Sequence, residues 1–212
     1  MKIAFDTETT GTNPKKDELL QITIVDENCN ILLETYLKPP TRTSWFHAEK
    51  VNHISYDMVK DAPEYDDVRD QIKEIFDNAT EIIGYNIAFD IGIVESNLKF
   101  NIDRTKTRDL LKEFRAEANK KNVFLPHYRL GDAVDFYCPQ YKTEYLENAH
   151  DASCDTIATM RVCNALDADI PRFVPEIKNT KILDEFLSQK KYKKYKEVEI
   201  QTQLLNDDLS LD

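Results

Sequence analysis

The first eleven residues constrain the fold more strongly than any other segment of the chain. They read Met-Lys-Ile-Ala-Phe-Asp-Thr-Glu-Thr-Thr-Gly, so an apolar run carries two acidic side chains, Asp6 and Glu8. The run predicts a buried β-strand, and the sequence at 9–11 predicts an abrupt exit from it. Because strand residues two apart share a face, both carboxylates project into the same space and repel each other. A solvated strand edge would tolerate this pair, whereas divalent Mg²⁺ or Mn²⁺, which prefer oxygen ligands, would relieve the repulsion.

The composition predicts a globular protein with one main domain. The 212 residues are 32% charged and 41% hydrophobic, and this length suits one sizeable core. No apolar run approaches the roughly 18 residues of a membrane span, and the N-terminus lacks a secretory pattern, so we expect a cytoplasmic protein without a membrane partner. Four cysteines without Cys-x-x-Cys spacing predict reduced thiols rather than a zinc site or a disulfide framework.

The formal net charge of −11 argues at first sight against a polyanionic partner. Nucleic acid is not excluded, because bound cations neutralise clustered acids and local basic stretches can meet phosphates. The candidate stretches are Lys106, Arg108, Lys112, Arg115, Lys120 and Lys121 in the middle of the chain, and Lys190, Lys191, Lys193, Lys194 and Lys196 near its end. Solvated helix faces would have the same composition.

The order of periodic segments predicts a layered α/β fold. β-rich runs at 19–25 and 30–37 follow the first strand and predict a three-stranded meander that the two prolines at 39–40 end. A helix is predicted around 68–76, a short strand at 81–85, and then a helix with Asn86 as its N-cap. Further helices are predicted at 110–119, 130–137 and 154–165. This order fits a sandwich built on a mixed sheet flanked by helices.

The composition changes after about residue 168. Prolines, a short helical pattern at 182–187, a run of lysines and tyrosines at 190–196 and an acidic end do not continue the pattern of the core. We therefore divide the chain into a main domain at 1–189 and a C-terminal appendage at 190–212 that is partly ordered at most.

Two further acids and one histidine are candidate site residues. Asp90 lies in an otherwise apolar segment, where a carboxylate is costly to bury unless it is paired, liganded or aimed into a cavity. The alternative is a helix-start aspartate that the helix dipole favours. His150 and Asp155 would diverge on one helix, but they can converge if His150 occupies the preceding loop. The competing histidines are His47, His53 and His127.

Three motifs in this order resemble those of the DEDD exonucleases, in the histidine-containing subclass typified by the proofreading subunit of bacterial DNA polymerase III. Residues 6–11 (Asp-Thr-Glu-Thr-Thr-Gly) are similar to the first family motif, residues 84–90 (Gly-Tyr-Asn-Ile-Ala-Phe-Asp) to the second and residues 150–155 (His-Asp-Ala-Ser-Cys-Asp) to the third. The resemblance covers about residues 1–168. Where the family often has His-Gly or His-His before an isoleucine, this chain has Asn52-His53.

This resemblance implies a ribonuclease-H-like fold, a three-layer sandwich with a mixed central sheet. It also implies that two divalent ions, Mg²⁺ or Mn²⁺, are held by Asp6, Glu8, Asp90 and Asp155, with His150 as the general base. By the same resemblance, the residues that contact the terminal nucleotide are Thr9, Thr10, Gly11, Asn86 and Phe89. The chemistry is consistent, because two ions can stabilise both oxygens of an in-line phosphoryl displacement and an imidazole can take a proton near neutral pH.

The leading functional hypothesis is a 3′-to-5′ exonuclease that releases 5′-mononucleotides from single-stranded or frayed DNA ends. Two alternatives remain: an RNA-trimming exoribonuclease of the ribonuclease T or oligoribonuclease kind, and a non-catalytic module that binds a polymerase. Expected partners are nucleic acid and, for proofreading, a DNA polymerase or a sliding clamp, since Gln-Thr-Gln-Leu-Leu at 201–205 loosely resembles clamp-binding peptides. The intact acids and histidine argue against the non-catalytic alternative, because folding does not require all five.

Overall fold

The computed structural model describes residues 1–120, 123, 125–148 and 151–168. The predicted short helix at 182–187 and the appendage at 190–212 lie outside these residues, as does His150. None of the helices in the described part of the chain combines the length and apolar character that crossing a bilayer requires.

A five-stranded mixed sheet forms the centre of the described region. Its strands are β1 (Lys2–Thr9), β2 (Leu19–Asp26), β3 (Ile31–Tyr36), β4 (Glu81–Gly84) and β5 (Thr107–Asp109). They lie in the order β3-β2-β1-β4-β5. The first three strands pair antiparallel as the predicted meander, and β4 and β5 add to it in parallel. The fifth strand, which was not predicted, is only three residues long.

Eight α-helices accompany the sheet in the described residues. They are α1 (Phe46–Asn52), α2 (Tyr56–Val59), α3 (Tyr65–Asn78), α4 (Ala88–Leu98), α5 (Leu110–Lys120), α6 (Leu130–Tyr137), α7 (Lys142–Asn148) and α8 (Ala152–Asp167). The predictions of α3, α4, α5, α6 and α8 are confirmed, whereas α1, α2 and α7 were not predicted. These three span seven residues or fewer, too few for a clear helical period.

The alternation of side chains along β1 assigns its residues to two different layers. Ile3 and Phe5 pack in one apolar cluster with residues of α3 and α4. Ala4 packs in a second cluster with residues of α5, α6 and α8. Helices therefore cover both faces of the sheet, and the predicted three-layer sandwich with a mixed sheet is confirmed.

The same alternation positions the acidic side chains. Asp6 and Glu8 continue the face of Ala4, toward α8, while Thr7 continues the face of Phe5, toward α4. Strand β4 pairs with β1 only through Lys2, Ile3 and Ala4. The second half of β1 is therefore left without a strand neighbour on this side among the described residues, which gives helix α4 access to its edge.

The predicted N-cap of α4 is wrong by one residue. Ile87 is the N-cap, and no side-chain capping bond is present there. Asn86 instead has a left-handed backbone conformation, with φ of 65°, which asparagine tolerates better than most residues. Its N–H donates to Asp109 Oδ1 at 3.1 Å, and its carbonyl accepts from the Phe89 N–H. Asn86 thus makes the tight turn between β4 and α4.

The cysteine prediction agrees with the structure, because all four thiols are free. One member of the central basic stretch, Arg108, has a structural role that was not considered for it. Arg108 lies on β5, where its guanidinium makes two hydrogen bonds to Glu113, at 2.6 and 2.8 Å, and one to Asp167 at 2.8 Å. Its charge is therefore used in holding α5 and α8 to the edge of the sheet.

Candidate active site

Three carboxylates converge where β1 ends. Asp6 and Glu8 extend from β1, and Asp155 extends from the first turn of α8. One oxygen of each side chain lies within 4.8 Å of those of the other two. Helix α8 begins where it does because Asp151 is its N-cap, with Oδ1 accepting from the N–H groups of Ser153 and Cys154. This cap fixes Asp155 one turn into the helix, opposite the β1 acids.

The electrostatics of the cluster favour protonation in the metal-free protein. Burial, followed by the charges of Asp90, Asp155 and Glu8, raises the pKa of Asp6 well above its usual range. Burial and the Asp155 charge raise the pKa of Glu8 to about 8. Desolvation and repulsion both penalise the ionised forms, and nearby positive charge would reverse this penalty. Clustered, half-buried carboxylate oxygens are also the donors that Mg²⁺ and Mn²⁺ prefer, so the residues present fit a divalent ion.

Asp90 reaches the cluster from the opposite layer. Its Oδ1 accepts two hydrogen bonds from Thr7, from the backbone N–H at 3.2 Å and from Oγ1 at 2.6 Å. Only 4% of Asp90 is exposed, and this burial raises the pKa of its carboxyl to about 7 although the Thr7 bonds act in the opposite direction. Asp90 thus lies beside the three convergent acids and is fixed to the open edge of β1.

Asn52 and Tyr145 also contact the acids, and sequence reasoning assigned neither of them to the site. The Asn52 side chain lies beside the Glu8 carboxylate, where it opposes the rise in the pKa of that group, and it donates from Nδ2 to the Thr9 carbonyl at 3.1 Å. Tyr145 on α7 lies close to Asp155, and burial together with the Asp155 charge raises the pKa of the Tyr145 hydroxyl. The Asn52-His53 departure was a sequence signal for the first residue. Tyr145 had no such signal, because α7 itself was not predicted.

The predicted substrate-binding residues lie in the segments that adjoin Glu8 and Asp90 along the chain. Thr9 and Thr10 are buried, and both hydroxyls are hydrogen-bonded. Thr9 Oγ1 donates to the Gly11 carbonyl at 2.6 Å, and Thr10 Oγ1 accepts from the Glu18 N–H at 2.9 Å. A Cβ at Gly11 would lie within 2.5–2.8 Å of the Asp17 carboxylate, so a larger residue there would displace Asp17 from its bonds to the Asn13 N–H and to Arg42. Phe89 is partly buried at the start of α4, next to Asp90. Their contacts with a nucleotide stay a prediction.

His150, the predicted general base, lies outside the described residues. The sequence places it directly before the N-cap Asp151, in front of a helix that begins at Ala152. That helix start is consistent with the expectation that His150 precedes α8 rather than lying on it. The role of His150 stays a prediction.

Comparison with known proteins identifies the family. A family model described as an exonuclease of the RNase T type matches residues 3–163. A DNA polymerase III PolC-type from Ureaplasma parvum is 32% identical over 163 residues, which are 73% of this chain and 11% of that protein. The 3′-5′ exonuclease DinG of Bacillus subtilis is 33% identical over 100 residues, which are 45% of this chain and 10% of that protein.

A solved structure confirms the fold. E. coli exonuclease I in complex with a dA16 oligonucleotide superposes with a TM-score of 0.64, at 22% identity, over 80% of this chain and 41% of that chain. The predicted ribonuclease-H-like fold is therefore confirmed. The chain spans about a tenth of the length of the two sequence relatives named above. Because the family match covers three quarters of the chain and all the convergent acids, this chain belongs to the RNase T family, among the DEDD exonucleases.

Proposed function

We propose that this chain is a metal-dependent 3′-to-5′ exonuclease that hydrolyses single-stranded or frayed DNA ends to 5′-mononucleotides. The observation that carries the proposal is the convergence of Asp6, Glu8 and Asp155 within 4.8 Å at the end of β1. Within an exonuclease family, such a group of oxygen donors is suited to hold cations against a phosphodiester.

DNA is favoured over RNA by the relatives. The matched proteins include a DNA polymerase III, the 3′-5′ exonuclease DinG, and an exonuclease I that was solved with a deoxyadenosine oligonucleotide. The names of these relatives support a DNA 3′ end as the substrate of this chain, although each of them is a longer protein. RNA trimming is then an outcome that the experiment below can reveal.

Each acid has a distinct place in the proposed site. Asp6, Glu8 and Asp155 would hold divalent cations directly, and Asp90 would complete a set of four carboxylates suited to two ions. The Thr7 hydrogen bonds keep one Asp90 oxygen fixed to β1 and leave the second oxygen for this role. When bound, the ions supply positive charge that acidifies an attacking water and offsets charge developing on the phosphate oxygens.

His150 would accept the proton of the attacking water on an imidazole nitrogen. Its place directly before the α8 cap supports this role, because Asp155 lies one turn into the same helix. The residues Thr9, Thr10, Gly11, Asn86 and Phe89 would border the terminal nucleotide. Of these, Asn86 and Gly11 lie at tight turns beside the acids, where backbone can approach a ligand closely.

The relatives also suggest which proteins this chain would act with. The chain would proofread or trim DNA ends in trans with a DNA polymerase or at a sliding clamp. The appendage at 190–212 would make the contact with that partner. The exonuclease domain would then span 1–189, including the residues that pack against the sheet.

Digestion of end-labelled oligonucleotides tests the proposal. Matched 20-residue DNA and RNA strands, labelled at the 5′ end, are incubated with the protein and Mn²⁺. We expect a ladder that shortens from the 3′ end, 5′-mononucleotide products and faster digestion of DNA. Preferential digestion of RNA would replace the DNA substrate with RNA, and no digestion of either strand would contradict the enzyme proposal.

The variant Asp6→Ala provides the control for this assay. Removing one metal ligand disrupts charge stabilisation in the transition state while relieving repulsion in the metal-free protein, so cleavage should be abolished with little loss of folding. Asp155→Ala should behave in the same way. An active, normally folded Asp6→Ala protein would contradict the metal-site assignment.

A further inference from the structure

Asn52 is a buried polar residue whose contacts link two parts of the fold. It ends helix α1 and is 8% exposed. Its Nδ2 donates to the Thr9 carbonyl at 3.1 Å, and its amide lies beside the Glu8 carboxylate. Asn52 thus holds the backbone of the residue that follows Glu8 and faces the Glu8 side chain with the one donor group of its own side chain.

The segment that carries Asn52 is firmly anchored to the rest of the protein. Trp45 Nε1 donates to the Ile54 carbonyl at 2.6 Å. Trp45, Ile54 and Val59 are buried in one apolar cluster with Leu20 of β2. An anchored amide next to a flexible acidic side chain limits the rotamers of that side chain, because it favours those in which the carboxylate faces the N–H donor.

We propose that Asn52 is a positioning residue for the metal site, holding the Glu8 carboxylate in the orientation in which it binds a divalent ion together with Asp6 and Asp155. The inference rests on the proposed metal-dependent function. Residues 46–59 lie outside the three motifs, and the inference gives them a role in metal affinity. Helices α1 and α2 would then support the metal site at the end of β1 as well as packing against Leu20 of β2.

A second role of Asn52 must be separated from this one. Its Oδ1 accepts from the Ile54 N–H at 3.1 Å, an Asx-type turn that shapes the backbone after α1. Serine can accept the same bond in an ST turn, but its short hydroxyl cannot reproduce the donation of the amide to Thr9 or reach the Glu8 carboxylate. Asn52→Ser therefore keeps the turn and removes the positioning contacts, whereas Asn52→Ala removes both.

Calorimetric titration of the full chain with Mn²⁺ tests the proposal without relying on activity. We expect Asn52→Ser to bind Mn²⁺ about 10-fold to 100-fold more weakly than the unsubstituted protein, the range seen when a partner of a metal ligand is removed. Its urea midpoint without metal should stay close to that of the unsubstituted protein, while Asn52→Ala should lose both metal affinity and stability. The matched control is Asn97→Ser, at a partly buried asparagine whose Nδ2 also donates to backbone carbonyls, those of Asp17 and Ile93, away from the acids.

The outcomes separate this inference from the proposed function. Unchanged Mn²⁺ affinity in Asn52→Ser would overturn the positioning role, as would an equal loss of affinity in Asn97→Ser. Failure of both Asn52 variants to fold would also overturn it, by making the residue a determinant of folding. If the unsubstituted protein binds Mn²⁺ and loses this binding in Asp6→Ala, the metal site stands whatever the Asn52 variants do. If the unsubstituted protein binds no Mn²⁺, the proposed metal-dependent function is contradicted, and the positioning role falls with it.

Discussion

Replacing Asp90 by asparagine should stabilise the metal-free protein at pH 8, although it removes a predicted metal ligand. Asparagine keeps the shape of the side chain and an Oδ1 that can accept both Thr7 hydrogen bonds. It removes the carboxylate charge, which burial makes unfavourable in the folded state. A substitution that impairs the site would thus improve the fold.

The magnitude follows from the pKa of Asp90, which burial raises from 3.8 to about 7. At ~1.4 kcal/mol for each tenfold change in proton affinity, this rise is worth about 4 kcal/mol. Because the pKa is higher in the folded state than in the unfolded state, the folded protein holds the extra proton between pH 4 and 7. The contribution of Asp90 to the stability of the metal-free protein is therefore most favourable below pH 4 and falls by up to about 4 kcal/mol as pH rises through 7.

Urea unfolding in the presence of EDTA, at pH 4 and at pH 8, measures this effect. The free energy of unfolding of Asp90→Asn should exceed that of the unsubstituted protein by up to about 4 kcal/mol at pH 8 and match it near pH 4. The control Asp70→Asn changes an exposed acid on α3 and should shift stability by less than about 0.5 kcal/mol at both pH values. An Asp90→Asn protein that is less stable than the unsubstituted protein at pH 8 would refute the reasoning.

Three further predictions concern residues outside the acidic cluster. Arg108→Met should lower the free energy of unfolding by about 1–3 kcal/mol, because it leaves Glu113 without its guanidinium partner and Asp167 paired with Lys2 alone. It should not change the cleavage rate, and reduced cleavage at unchanged stability would instead indicate a phosphate contact. His150→Ala should cleave about 10²-fold to 10⁴-fold more slowly, should lose the rising limb of the pH–rate profile and should keep its Mn²⁺ affinity. Weakened Mn²⁺ binding would instead make the histidine a metal ligand. Truncation after Gln189 should leave cleavage of a short oligonucleotide unchanged. A weaker affinity of the truncated protein for the oligonucleotide, with a reduced salt dependence, would instead assign the lysine-rich run a role in binding nucleic acid.

The acidic site was predictable partly from local rules and partly from the resemblance. Strand alternation places Asp6 and Glu8 on one face, whereas Asp155 was assigned by its motif, and the structure adds that the N-cap Asp151 fixes its place on α8. The meander and the longer helices follow from clear hydrophobic periods. These features repeat over enough residues for sequence patterns to determine them.

The remaining features depend on contacts between distant segments. Strand β5 is three residues long and polar, so its pairing depends on β4 and on the ion pairs of Arg108. The bonds of Thr7 to Asp90 and of Asn52 to the Thr9 carbonyl join residues 83 and 43 positions apart. Sequence patterns could identify Asn52 as unusual, but only the folded chain brings it to the carboxylate.

An anomalous difference map from crystals grown with Mn²⁺ tests the metal site most directly. We predict a strong Mn²⁺ peak bounded by the carboxylates of Asp6, Glu8 and Asp155, with the amide of Asn52 beside Glu8 and bonded to the Thr9 carbonyl. The same crystals of Asp6→Ala should lack or weaken this peak. A clear map of the unsubstituted protein with Mn²⁺ bound elsewhere, and none among these three carboxylates, would contradict the account.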